Sequence, residues 1–207
     1  MEDIWLTWAK RLQGIASTGL HFTRDEYDRE RYAEVAAIAS EMLSSLADVP
    51  IGRIQGLVSD FESGYATPKV EVRGAVFEEL RILLVRERSD GLWTMPGGFA
   101  DVGRSAGENV VKEIWEEASL RVRAQSLYGI RHKAKHEYKS DVRDFYKLFF
   151  LCEPTEDATP RPGLETAEVG YFSVDELPPL STGRVLEKDI RAAFEFKADP
   201  RRRVFFD

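Results

Sequence analysis

Glu113, Glu116 and Glu117 stand at i, i+3 and i+4, a spacing that on a helix brings three carboxylates onto one patch. Like charges placed this way repel one another by a few tenths of a kcal/mol per pair, so a cation should relieve them. Hard oxygen ligands with no cysteine beside them suit Mg²⁺ or Mn²⁺. The helix that must carry them is marked locally. Ser105 followed by Glu108 forms the S-x-x-E capping box, and Val110, Val111, Ile114 and Ala118 recur at the spacing of a core-facing stripe. An isolated E-x-x-E-E is more often a solvated helix face. Here Gly97-Gly98 precedes the capped helix and lets the backbone approach a ligand closely, which favours a metal site.

The stretch from Pro96 to Leu120, PGGFADVGRSAGENVVKEIWEEASL, resembles the Nudix box, G-x5-E-x7-R-E-U-x-E-E-x-G-U with U aliphatic. Gly98, Glu113, Ile114, Glu116, Glu117 and Leu120 match it. Three positions depart: Arg104 stands in place of the first Glu, Lys112 in place of Arg, and Ser119 in place of the last Gly. Arg104 beside Lys112 is expected to repel rather than lock the loop. Ser119 is expected to cost about 1 kcal/mol if its backbone is left-handed.

The resemblance implies an α/β fold, the Nudix α/β/α sandwich with a mixed sheet. It also implies metal held by Glu113, Glu116 and Glu117 with the Gly97 backbone, Glu116 and Glu117 being catalytic. The reaction implied is hydrolysis of a nucleoside diphosphate linked to a moiety X, giving a nucleoside monophosphate and phosphorylated X. Many such enzymes bring in a further glutamate late in the chain as base. Glu165 and Glu168 lie in that region, and Glu168 is preferred. A noncatalytic nucleotide-sensing protein on the same fold is the alternative, and Arg104 is the feature in its favour.

Around this segment, the 207 residues are 43% hydrophobic and 31% charged, enough for one enzyme domain and a small extension. The formal charge of −7 argues against broad binding to nucleic acid or anionic membrane. With no signal peptide and no membrane-length apolar run, the expected location is the cytoplasm. Cys152, the one cysteine, falls in an apolar run and reads as a buried thiol.

Residues 1–64 read as a helical N-terminal extension and 65–207 as the catalytic domain. In the extension, Ile4, Trp8, Leu12 and Ile15 share a face of a helix ended by Gly19, and Tyr32, Val35, Ile38, Met42 and Leu46 mark a second helix. A third is expected over 51–61. Such helices cannot bury Trp5, Trp8 and Tyr32 among themselves, so they need the catalytic domain or another subunit; a homodimer is expected, with packing against the chain's own catalytic domain as the competing reading. This region resembles the extension of a Nudix subgroup acting on X-linked nucleoside diphosphates, which implies substrates like CDP-choline or ADP-ribose, with RNA 5′ ends as a further class.

Strands are expected near 70–76, 81–85, 93–95, 122–132, 143–152 and 168–172, with helices at 174–177 and 186–196. His132 and His136 lie where a strand enters a polar loop, which removes helical metal geometry. Arg131, His132 and Lys133, with Lys147 on the next strand, form a local basic concentration for substrate phosphate or base. A solvated hairpin loop is the competing reading. Arg104 joins the substrate-binding set, and Tyr138 reads as a lone surface tyrosine.

Overall fold

The computed structural model describes residues 2–47, 65–199 and 201–207. The helix expected over 51–61 lies outside them. The chain forms two compact units, one of Met1–Lys69 with Ala134–Phe145 and one of Val70–Lys133 with Tyr146–Asp207.

In the first unit α1 (Ile4–Phe22) is capped by Asp3, whose carboxylate accepts from the Trp5 and Leu6 amides. It packs against α2 (Glu26–Ala47). Gly19 does not end α1. It lies inside the helix, where a Cβ would sit 2.5 Å from the Tyr32 ring, so the glycine admits that ring. The buried seam is built from Leu6, Ala9, Ala16, Ser17, Ala39 and Leu43. The apolar stripe read from the sequence faces outward instead. Ile4, Trp5, Trp8, Leu12 and Ile15 are 37 to 58% exposed, and Ile38 and Leu46 on α2 are exposed too. Small side chains let two helices approach closely, and large ones are left on the far side. Lys10 ties α1 to the 134–145 segment by pairing with Glu2 at 2.8 Å and reaching the Arg143 carbonyl at 3.2 Å. Tyr138 is buried there, not a surface residue.

The second unit carries the sheet. β1 (Lys69–Glu78) turns through left-handed Glu79 into β2 (Arg81–Glu87), and β3 (Trp93–Thr94) pairs antiparallel with β2. α3 (Ala106–Ala118) follows, then β4 (Val122–His132), β5 (Phe145–Pro154), β6 (Thr166–Phe172) and α4 (Glu187–Ala198). The strand order is β3-β2-β1-β5-β4, with β6 also pairing with β2.

Alternation along β1 and β2 makes a two-faced sheet. Val72, Val76, Leu83 and Val85 pack with Val110, Ile114 and Ala118 of α3. Ala75, Ile82 and Leu84 pack with Ile190, Ala193 and Phe196 of α4. The helix expected at 174–177 is a turn closed by Glu176 N–H to the Ser173 carbonyl, cut short by Pro178-Pro179. After the solvated arginines 201–203, Phe205 bridges to Gly129 on β4, where a Cβ would lie 1.9 Å from its ring. Among the described residues no helix is long and apolar enough to cross a membrane.

Candidate active site

The capping box at the start of α3 is complete: Ser105 N–H donates to Glu108 at 2.7 Å and Glu108 N–H to the Ser105 hydroxyl at 3.2 Å. At the other end Ser119 adopts φ 52°, ψ 32°, a left-handed backbone that glycine would hold without strain. The segment 161–166 closes over that end. Arg161 N–H donates to the Ala118 carbonyl at 2.8 Å, and Gly163 N–H and the Thr166 hydroxyl donate to the Glu117 carbonyl at 3.1 and 2.8 Å. Carbonyls that a helix end leaves orphaned are thereby satisfied. Gly163 is obligatory in this contact, since a Cβ would lie 1.7 Å from the Glu116 carbonyl oxygen.

The glycine loop lies along β1. Val72 N–H donates to the Gly98 carbonyl and Gly74 N–H to the Pro96 carbonyl, both at 2.9 Å. Gly97 has φ +147°, and a Cβ there would strike the Val72 carbonyl at 2.0 Å. Gly97 N–H donates to Glu117 Oε2 at 2.9 Å. Gly98 leaves room for Glu113, whose Oε2 would be 2.6 Å from any added Cβ.

The three helix acids differ in environment. Glu117 is buried, and burial pushes its carboxyl up to about 8 against the opposing field of Arg73. Burial also raises Glu113. Glu116 is exposed and paired with Lys112 at 2.7 Å. The pattern is thus not a single solvated face. Among the described residues no three acids, histidines or cysteines are already gathered as a metal cage, and Lys112 lies between Glu113 at 3.4 Å and Glu116 at 2.7 Å. Glu113 and Glu117 nevertheless fit a hard divalent cation: both are carboxylates held beside the Gly97-Gly98 backbone, and burial destabilises their charges.

Arg104 and Lys112 do not repel as expected. Both reach Asp101 Oδ2, at 2.9 and 3.3 Å. Asn109, fully buried, fastens the same loop by accepting from Asp101 N–H at 2.9 Å and donating to the Ser105 carbonyl at 3.1 Å. An acid three residues before Arg104 therefore supplies the lock.

The other expected residues are dispersed. Glu168 sits opposite Arg86 in the β2–β6 register and pairs with it at 2.6 Å, both about half exposed. His132 lies across from Tyr146 with rings 5.6 Å apart, and its backbone N–H donates to Asp207 Oδ2 at 2.5 Å. Lys133 is buried. Lys147 is completely buried and donates to Glu71 Oε2 at 2.6 Å, so it forms no solvent-facing basic patch with Lys133.

Sequence reasoning missed a buried charge network. Arg73 donates from Nε and Nη2 to Glu71 Oε1, and from Nη1 to the Met95 carbonyl at 2.9 Å. Burial alone would raise the Glu71 carboxyl, but the charges of Arg73 and Lys147 hold it at about 2. Burial lowers Lys147 to about 8 despite Glu71. Glu87 ends β2 opposite Thr166, is buried, and takes Arg184 Nε at 3.2 Å. Its charge bears on both Arg73 and Glu117. A signal existed: Glu71 and Arg73 alternate with Ala75 on the inward face of β1, as Lys147 does with Phe145 and Phe149 on β5.

This arrangement of glycine loop, capped acidic helix and sheet recurs in known proteins. The chain matches the NUDIX domain over residues 67–194 and a UDP-X-like N-terminal oligomerisation domain over residues 3–58. It is 41% identical over its full length to YjhB of Bacillus subtilis, 99% of which is covered and which is provisionally named an ADP-ribose pyrophosphatase. A crystal structure of a UDP-X diphosphatase is similar over 98% of both chains at 31% identity and TM-score 0.63. An ADP-ribose pyrophosphatase from Streptococcus suis is similar over 68% of this chain and all of its own, at 40% identity and TM-score 0.61. The chain therefore belongs to the Nudix family and is a Nudix pyrophosphohydrolase.

Proposed function

We propose that the protein hydrolyses the diphosphate of an X-linked nucleoside diphosphate, with Mg²⁺ or Mn²⁺ held by Glu113, Glu116 and Glu117 and the Gly97 carbonyl. The observation that carries this is the contact of Gly97 N–H with buried Glu117 at 2.9 Å, which joins loop and helix into one site. A divalent ion bound there would neutralise diphosphate oxygens and lower the pKa of a bound water. Water attacks one phosphorus, the anhydride oxygen leaves, and the products are a nucleoside monophosphate and phosphorylated X.

The residues supply the rest. Gly97 N–H orients Glu117, and Gly98 admits the Glu113 carboxylate. Glu116 becomes available as Lys112 shifts to Asp101, already 3.3 Å away. For the acid that takes a proton from water, Glu168 and Glu87 are the two candidates, each held by an arginine, Arg86 at 2.6 Å and Arg184 at 3.2 Å, with Glu87 the buried one.

ADP-ribose and UDP linked to a moiety X are the substrates suggested by the relatives, with CDP-choline of the same chemical class. RNA 5′ ends are a further class that no feature of the site singles out. The outward stripe of α1 supports a homodimer, and a cytoplasmic location is part of the same proposal. Arg104, the feature that favoured a sensing-only protein, is engaged by Asp101 at 2.9 Å.

The test is release of phosphomonoester from ADP-ribose, UDP-glucose and CDP-choline with and without Mg²⁺ or Mn²⁺. Metal-dependent turnover of at least one is expected, and none with any of them would reject the proposal.

A further inference from the structure

Arg73 is 3% exposed and is not itself among the residues that the proposed reaction uses. Its guanidinium is held flat by Glu71 through two N–H groups, and Glu71 in turn accepts from Lys147 at 2.6 Å. The remaining arm donates to the Met95 carbonyl at 2.9 Å and lies 3.4 Å from the Thr94 hydroxyl. Met95 is two residues before Gly97. The neighbours of Arg73 on β1 bind the same loop by backbone, through Val72 N–H to the Gly98 carbonyl and Gly74 N–H to the Pro96 carbonyl. Gly97 is also pressed against β1, where an added Cβ would lie 2.9 Å from the Arg73 Cα.

We infer that Arg73 is a positioning residue for hydrolysis: anchored by Glu71, it fixes the Met95 carbonyl and hence the Gly97 N–H that aims the Glu117 carboxylate. The inference rests on the proposed divalent-ion site. Arginine is required because its planar fork binds a carboxylate and a carbonyl together, whereas a lysine ammonium is one compact charge. Arg73 touches no reacting atom and acts through the loop. A small displacement of catalytic groups lowers the rate by as much as about a hundredfold, so the effect should fall on kcat more than on KM.

The experiment compares the full-length wild-type chain with Arg73→Lys. Mn²⁺ binding without substrate is read by electron paramagnetic resonance, and kcat and KM with ADP-ribose or UDP-glucose, whichever the wild type hydrolyses. Arg73→Lys is expected to fold, to bind Mn²⁺ several-fold more weakly, and to lose about ten- to hundredfold in kcat with KM changed less than about threefold. A folded Arg73→Lys with wild-type kcat and Mn²⁺ affinity overturns the inference, as does a change in KM alone.

If Arg73→Lys does not fold, Glu71→Gln/Arg73→Gln decides, since it removes one charge of each sign. A folded double variant with the same kcat loss supports the inference, and one with wild-type kcat rejects it. Failure of both to fold makes Arg73 a structural residue and also rejects it. A wild-type chain that neither binds Mn²⁺ nor hydrolyses any of the substrates would instead sink the proposed function, a separate result.

Discussion

Gly97 N–H donates to Glu117 Oε2 at 2.9 Å, linking residues twenty positions apart in sequence. The bond places a buried carboxylate against a glycine loop that β1 holds by its own backbone. It explains why Glu117 tolerates burial and why its neighbour on the helix, Glu116, does not share that environment.

Glu117→Gln is expected to abolish most turnover, by about a hundredfold or more, because one metal-ligand charge is lost. The amide oxygen can still accept from Gly97 N–H, and a neutral group replaces one whose ionisation burial disfavours. Metal-free Glu117→Gln should therefore melt at or above the wild-type temperature. A large drop in melting temperature would show that the ionised carboxylate holds the fold. Glu116→Gln should also lose turnover at limiting Mg²⁺.

Asp101→Ala removes the carboxylate shared by Arg104 and Lys112. Exposed pairs of this kind contribute about 1 kcal/mol or less each, so stability should change little while activity falls several-fold as the loop loosens. Arg104→Glu sets an acid beside Asp101, and its activity should be improved by adding Asp101→Asn. Kinetics of Asp101→Asn, Arg104→Glu and the double variant measure this coupling, and additive effects would show that Asp101 is not the lock.

Glu71→Gln leaves the Arg73 and Lys147 charges buried without their carboxylate, a change that typically costs about 3–5 kcal/mol. The folded carboxyl, held at about 2, is depressed from its ordinary 4.5. The unfolded chain thus binds the proton more readily, and the stability is present above pH 4.5 and lost as pH falls toward 2. Denaturant melts across that range should show the wild-type advantage shrinking with acidity. A constant gap would contradict the ion-pair account.

Trp5→Ala/Trp8→Ala targets the two indoles that meet edge-on at 5.0 Å on the outward stripe of α1. Aromatic clusters of this kind anchor interfaces, and light scattering should shift from dimer to monomer. A wild-type chain that is already monomeric at micromolar concentration would reject the dimer.

The sequence by itself determined the elements whose rules are local. The capping pair Ser105 and Glu108 and the three-to-four-residue recurrence of Val110, Ile114 and Ala118 located the acidic helix, since a helix carries its hydrogen bonds and periodicity within a few residues. Pro96-Gly97-Gly98 located the loop for the same reason. Only the tertiary structure decided which partners those residues meet. Asp101 resolves the repulsion between Arg104 and Lys112, Glu71 takes Lys147 into the core, and the small residues of α1 and α2 face each other while the tryptophans face out. Burial of a charge depends on every group packed around it, and those groups come from strands and turns far apart in the chain.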